Sequence, residues 1–274
     1  MQIEIRDDFD LEKIALSGQC FRVRPLDGGM FRFVSGDHVI YMKETGNHQF
    51  SISCTKDEWE DVWIRYFDLN RSYRNLYYEE REKHDFVRRA MESGRGIRVL
   101  RQDPWEMLIT FIISQRKSIP AISKSVEALA KKYGHPIETD YEIIYSFPTP
   151  EEMACASAEE LQECGLGYRV PYIYDAIQKV TSGQLNLDAI ADYNDAELFQ
   201  ELQTVHGVGK KVANCICLFG YGRTARVPVD VWIARAVDED CCGEDPFMLF
   251  ESNGGIIQQY IFYYMKNGKE QGVE

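Results

Sequence analysis

Positive charge is in short supply. Against 31 Lys and Arg stand 44 Asp and Glu, a formal net charge of −13. So acidic a chain lacks the general basic footprint that holds nucleic acid phosphate. Any such contact must rest on a local patch, while the acidic remainder weakens non-specific binding and slows association. Long apolar runs are missing as well: no stretch of about 18 apolar residues occurs, which argues against a transmembrane helix. The opening MQIEIRDDFDLEK is charged and has no apolar signal-peptide core, so a cytoplasmic protein is expected. Nor are there CxxC pairs among the eight cysteines, Cys20, Cys54, Cys155, Cys164, Cys215, Cys217, Cys241 and Cys242. That spacing argues against a zinc site and a disulfide framework and predicts reduced, mostly buried thiols. No internal repeat, low-complexity tract or long linker interrupts the chain.

What is present can build cores. The 274 residues are 45% hydrophobic and 12% aromatic, with 16 Tyr, enough for two or three small domains. The first 55 or so residues read as β: MQIEI, QCFRVRPL, GMFRFVSG, HVIYMKE and HQFSISC are short, aromatic and β-branched. Gly28-Gly29, Gly36-Asp37 and Gly46-Asn47 punctuate them as hairpin turns. DLEKIALSG inserts a short helix closed by Gly18. Helical spacing then takes over in TKDEWEDVWIRYFDL and EEREKHDFVRRAMESG. DPWEMLITFIISQ opens with Asp103 as N-cap and Pro104 at the first helical position. SIPAISKSVEALAKKYG ends on Gly134, and Ser157/Glu160 and Asn194/Glu197 are capping-box patterns. GGIIQQYIFYYMKNG is a last aromatic helix. The fold class is α+β: an N-terminal antiparallel β domain with helical insertions over 1–100, then a helical body over 101–274.

One stretch, TVHGVGKKVANCICLFGYGRTARVPVD, carries candidate chemistry. DAELFQELQTV and KKVANCICLFGYG are helices joined by the turn HGVG, a helix-hairpin-helix at about 196–222. Gly207 and Gly209 lack side chains, so backbone N–H groups there can approach a phosphate, helped by the N-terminus of the second helix. A plain turn between two helices would look the same. Lys211 stands in the first turn of that helix, where dipole and burial together disfavour an ammonium and favour a neutral amine able to form a Schiff base. Lys210 points about 100° away, toward solvent or phosphate. After the stiff VPVD loop (227–230), Asp230 is placed to cap VWIARAV, and an ionised carboxylate there suits a nearby cation.

These residues closely resemble the helix-hairpin-helix, Gly/Pro-Asp superfamily of DNA base-excision glycosylases, and among them the 8-oxoguanine DNA glycosylases. The resemblance runs from LSGQCFR through DPWEMLITFIISQ and GLGYRVPYI to VANCICL and VPVDV. It implies a β domain beside a two-part helical body and a bifunctional enzyme that flips the damaged nucleoside out of the stack. Lys211 would attack the sugar and Asp230 would stabilise the cationic intermediates. Gly18 would offer its carbonyl to the N7–H that 8-oxoguanine has and guanine lacks. Cys215 would lie under the flipped base, Gln258 would read its Watson–Crick edge, and Phe262 would stack on it. Tyr168 would be the wedge, Arg116 would fill the vacated space, and Arg169 would grip the opposite base. Gly207, Gly209 and Lys210 would meet the backbone. The carbonyls of Gln203, Val205 and Val208 could seat a structural monovalent cation, with no metal held by side chains. The expected partner is double-stranded DNA containing 8-oxoguanine, met by a monomer that is nucleoid-associated when on DNA and makes no membrane contact.

The chain departs from the family pattern at three places. Arg116 stands where an asparagine is usual. Ala121 replaces the second arginine that grips the opposite cytosine, which predicts a relaxed opposite-base preference. Trp232 replaces a phosphate-contacting histidine. Nothing after Cys242 supplies the four cysteines of the [4Fe–4S] relatives, so no iron–sulfur cluster and no other cofactor is expected. Two other functions fit parts of the sequence. A non-catalytic helix-hairpin-helix DNA-binding module needs the glycine turn but not Lys211, Asp230 or Gly18. A glycosylase for a different lesion, such as an alkylated base, often lacks the lysine.

Overall fold

The structure is a computed structural model and describes residues 1–268; the last residues of the helical body expected over 101–274 lie outside the described residues. The chain falls into two compact units. The first comprises Met1–Phe33, Val39–Arg101 and the chain from Gly222 onward, and the second Val34–His38 and Gln102–Tyr221. The chain passes from the first unit to the second after Arg101. The C-terminal residues instead group with the N-terminal part, because the last helix packs on a helix of that part.

A five-stranded sheet in the order β1-β5-β4-β3-β2 forms from β1 (Gln2–Glu4), β2 (Arg24–Leu26), β3 (Met30–Ser35), β4 (His38–Gly46) and β5 (Gln49–Ile52). The pairs β1/β5, β2/β3 and β4/β5 are antiparallel. Period-two alternation sends Phe31, Phe33, Ile40, Met42, Phe50 and Ile52 into one core with Ile14, Trp59, Trp63 and Phe67. Helix α1 (Leu11–Leu16) starts on Asp10, whose carboxylate accepts from the Lys13 N–H at 2.9 Å, and ends into Gly18 at φ +80°. That left-handed conformation is cheap only for glycine.

The segment TKDEWEDVWIRYFDL is less regular than its spacing predicts. It forms α2 (Lys56–Glu58), a π turn (Trp59–Trp63) and α3 (Ile64–Tyr66). EEREKHDFVRRAMESG is likewise split between α4 (Tyr73–Glu80) and α5 (Asp85–Ser93), where Lys83 turns back to pair with Glu80 at 2.6 Å. Arg98 is fully buried and donates to the carbonyls of Phe67, Asp68 and Arg71 and to Asp7, tying the segment before α1 to the one after α3. Burial of Asp7 opposes its ionisation, but the N–H groups of Tyr73 and Arg74 and the Arg98 guanidinium outweigh that and lower its pKa.

In the second unit α6 (Pro104–Ser114) is buried from Trp105 to Ile113 and forms the hub. Around it come α7 (Ile119–Tyr133), the hairpin β6 (Pro136–Glu138) and β7 (Ile143–Tyr145), α8 (Pro150–Met153) and α9 (Ala158–Glu163). Then follow α10 (Val170–Thr181), α11 (Asp195–Leu202) and α12 (Lys210–Phe219). Asp103 caps α6 through the Glu106 N–H, and both expected capping boxes are present. Helices α13 (Val231–Asp240) and α14 (Gly254–Tyr263) return to the first unit, and they pack on each other. Among the described residues no helix is long and apolar enough to cross a membrane.

Candidate active site

The hairpin is held from α10. Asp175 accepts the His206 N–H at 2.7 Å and pairs with Lys179 at 3.0 Å, while the Lys179 ammonium donates to the Thr204 carbonyl at the negative end of α11. Gly207 has φ +84°, and a Cβ there would lie 2.4 Å from the Tyr172 ring. Gly209 is different: it caps α12 with φ −88° and faces open space, with nothing within 4 Å of a built Cβ. The two glycines of one motif therefore have different reasons to be glycine. Of the carbonyls named for a cation, that of Val205 accepts from the Val208 N–H at 3.0 Å. A carbonyl has two lone pairs, and that bond leaves one of them on Val205.

Lys210 and Lys211 occupy the first turn of α12. Lys210 is exposed and Lys211 is half-buried rather than fully buried. The Lys211 Nζ stands 5.3 Å from the Phe111 ring centroid on α6. That ring stacks on Phe219 at 5.5 Å, which ties α6 to α12. Cys215 lies one turn along from Lys211 and is 2% exposed.

Three further candidates converge beside the hairpin. Arg116, in the α6–α7 loop, is exposed and left-handed at φ +52°, a conformation strained for arginine. Tyr168 is 53% exposed, suited to a wedge, and its hydroxyl donates to the Gln115 carbonyl at 3.4 Å. Arg169 departs from the expected outward grip. It is 5% exposed and donates to the carbonyls of Gln115 and Leu166, with its guanidinium 4.4 Å from the Tyr168 ring centroid. Those internal acceptors engage both terminal nitrogens, while Nε is buried without a partner among the described residues. Arg116, Lys117, Arg169, Lys210 and Lys211 form no ion pair with a described carboxylate. An anion can therefore be attracted locally despite the overall charge of −13.

The remaining candidates belong to the first unit. Asp230 caps α13: its Oδ1 accepts from the N–H groups of Trp232 and Ile233, both at 3.0 Å. Its Oδ2 has no hydrogen-bond partner among the described residues. Cap and charge thus use different oxygens. Gly18 follows Ser17, whose carbonyl accepts from Gln259 Nε2 on α14 at 2.8 Å, so α14 holds the Gly18 turn. Gln258 is 4% exposed, and its Oε1 is a buried acceptor with no partner among the described residues. Phe262 is half-buried one turn along. Trp232 is partly exposed. Among the described residues no three His, Cys, Asp or Glu side chains converge as metal ligands.

Sequence reasoning passed over Gln115, Lys117 and Gln259. Lys117 donates to Ser125 Oγ at 2.6 Å and to the Gly165 carbonyl at 2.7 Å, fixing the loop that carries Tyr168. The available signals were slight: a polar SQRK break in an apolar helix, and paired glutamines in an otherwise apolar one.

Comparison with known proteins accords with this geometry. Residues 2–108 match the 8-oxoguanine DNA glycosylase N-terminal domain, and residues 109–245 match the HhH-GPD superfamily of base excision DNA repair proteins. The N-glycosylase/DNA lyase of Saccharomyces cerevisiae is 36% identical over 191 residues, 65% of this chain. The match spans half (50%) of that protein's length. MBOgg1 in complex with a low-affinity DNA ligand is 37% identical with a TM-score of 0.92, over 98% of this chain and 96% of that one. The Clostridium acetobutylicum 8-oxoguanine glycosylase/lyase, in complex with double-stranded DNA containing cytosine opposite 8-oxoG, is 32% identical with a TM-score of 0.90, over 98% of each chain. With both domains matched and the two solved structures aligned over nearly the whole chain, the protein belongs to the 8-oxoguanine DNA glycosylase/lyase family of HhH-GPD base excision repair enzymes.

Proposed function

We propose that this chain, acting as a monomer, excises 8-oxoguanine from double-stranded DNA and then cleaves the abasic strand, with Lys211 as the nucleophile. The observation that carries the reading is Lys211 itself: a half-buried lysine in the first turn of α12, just past the glycine turn, with no carboxylate partner among the described residues. Attack on the sugar is by the neutral amine, and no carboxylate of the described residues ties Lys211 up as an ion pair.

In this reading the N–H groups after Gly207 meet a backbone phosphate, Tyr168 enters the stack and Arg116 fills the space the nucleoside leaves. The Lys211 Nζ forms a bond to C1′ as the bond from C1′ to the base breaks, and the electron pair leaves with the base. Loss of a proton from nitrogen and opening of the sugar ring give the imine. Removal of a C2′ proton then expels the 3′ phosphate by β-elimination. Asp230, whose Oδ2 is uncommitted among the described residues, takes the role the family resemblance gives it, stabilising the positive charge that develops on the sugar. The Gly18 carbonyl discriminates the lesion through its N7–H, since guanine would present a lone pair to the same acceptor. The Gln258 Oε1, buried without a partner, supplies an acceptor for the base edge.

Opposite-base preference follows from two residues. Ala121 offers no donor, and Arg169 spends its guanidinium on the carbonyls of Gln115 and Leu166. Discrimination by bidentate donation is thereby reduced, and bases other than cytosine opposite the lesion are tolerated better than is the family norm. Cleavage of 8-oxoguanine duplexes across the four opposite bases tests this proposal together with the activity. Release of base and a β-elimination product from several pairings is expected. A cytosine-only profile overturns the relaxed preference, and no excision from any pairing overturns the activity.

A further inference from the structure

We propose that Gln115 is a positioning residue that couples the hairpin turn to the wedge and the gap-filling arginine. This rests on the DNA-binding roles assigned above to those loops. The two donors of the Gln115 side-chain amide are both directed at carbonyls: Nε2 donates to Ile112 at 3.2 Å and to Gly207 at 3.1 Å. The first bond anchors the side chain on the last turn of α6, and the second reaches the left-handed glycine of the hairpin. The main chain of the same residue serves the other side. Its carbonyl receives the Arg169 guanidinium and the Tyr168 hydroxyl. Its peptide leads directly into Arg116, held at φ +52°. Gln115 therefore touches the phosphate-binding turn through its side chain and the wedge loop through its carbonyl, and it sets the start of the strained gap-filling residue.

The consequence is mechanical. Extrusion needs the backbone gripped while the wedge and gap-filler enter the stack. A loose link between grip and wedge lets the turn bind phosphate without placing Tyr168 and Arg116 against the same base step. An amide of this length does the work because it donates twice from one nitrogen. Methionine has the reach and shape but no N–H, and asparagine keeps the amide but is a methylene too short for Gly207.

The test compares wild type with Gln115→Met and Gln115→Asn on two duplexes. One carries a tetrahydrofuran abasic-site analogue, which has no base to extrude. The other carries 8-oxoguanine beside 2-aminopurine, whose fluorescence reports unstacking. Loss of the coupling hydrogen bond to Gly207 predicts a fall of about fivefold in the extrusion equilibrium and in the single-turnover excision rate. Affinity for the tetrahydrofuran duplex is unchanged, and so is the thermal midpoint within about 3 °C. Gln115→Asn shows the same signature if Gln115→Met does not fold. An equal loss of affinity for both duplexes, or wild-type extrusion in both variants, overturns the coupling. Failure of the wild type to bind either duplex overturns the DNA-binding reading instead.

Discussion

Replacing each hairpin glycine by alanine separates the structural from the binding role of one motif. At Gly207 the φ of +84° is left-handed, and a new methyl would lie 2.4 Å from Cγ and Cδ2 of Tyr172. The backbone term costs about 1–2 kcal/mol. Overpacking adds about 1–3 kcal/mol, since Tyr172 is itself held edge-on by His206 at 4.6 Å and by Tyr168 at 6.1 Å. Gly207→Ala should thus lose about 2–5 kcal/mol of stability. Gly209 has φ −88° and nothing within 4 Å of a built Cβ, so Gly209→Ala should lose less than about 1 kcal/mol as a poorer cap. In the proposed DNA-binding role, the methyl stands where a phosphate approaches the backbone. Losing one hydrogen bond to a charged group predicts an affinity loss of about tenfold or more for an abasic-analogue duplex. Urea unfolding followed by tryptophan fluorescence gives the first quantity, and fluorescence anisotropy the second. The reasoning is refuted if Gly207→Ala unfolds within about 1 kcal/mol of wild type, or if Gly209→Ala binds the duplex with undiminished affinity.

Three other outcomes follow from the geometry. Asp230→Asn keeps a good cap for α13 and should hold its stability, while single-turnover excision falls on the order of 10²–10³-fold; Asp230→Ala should also lose about 1 kcal/mol in urea unfolding. Burial, and secondarily the charge of Arg169, lowers the Lys117 pKa below 10.5, so the folded state binds fewer protons than the unfolded one between the lowered value and 10.5. The Lys117 contribution is therefore fullest above 10.5 and is lost as pH falls through the lowered value; relative to Lys117→Met, wild-type stability should rise with pH across that window in urea titrations. Six of the eight cysteines are buried, with the Cys54 thiol pushed up to about 11 by burial and by Glu58, so native thiol titration should show two fast groups, Cys155 and Cys242, and six slow ones.

Local signals in the sequence proved readable where the physics is local. Asp103 before Pro104, and the Ser157/Glu160 and Asn194/Glu197 boxes, place helix starts because donors and acceptors lie three residues apart. The position of Lys211 in the first turn of α12 was legible for the same reason, since it stands just beyond a contiguous glycine turn. Gln115 was not: its partners Gly207 and Arg169 are 92 and 54 residues away, and nothing in SQRK names them. The Gln259 bond to Ser17 spans 242 residues, which is also why the C-terminal helix joins the first unit against expectation. The split between α4 and α5 escaped notice because residues 79–85 are all polar, so no apolar periodicity marks where one helix stops, and the Lys83–Glu80 pairing that closes the turn has no distinct signature in the sequence. Arg169 shows the limit of reading a role from residue type. A guanidinium can reach DNA or the chain's own carbonyls, and packing decides which.

The most direct measurement is borohydride trapping on an 8-oxoguanine duplex, followed by peptide mapping of the cross-link. The account predicts a covalent protein–DNA species with wild type, carried by Lys211 and not by the adjacent Lys210, and none with Lys211→Gln. A cross-link on Lys210, or an undiminished trapped species in Lys211→Gln, would contradict it.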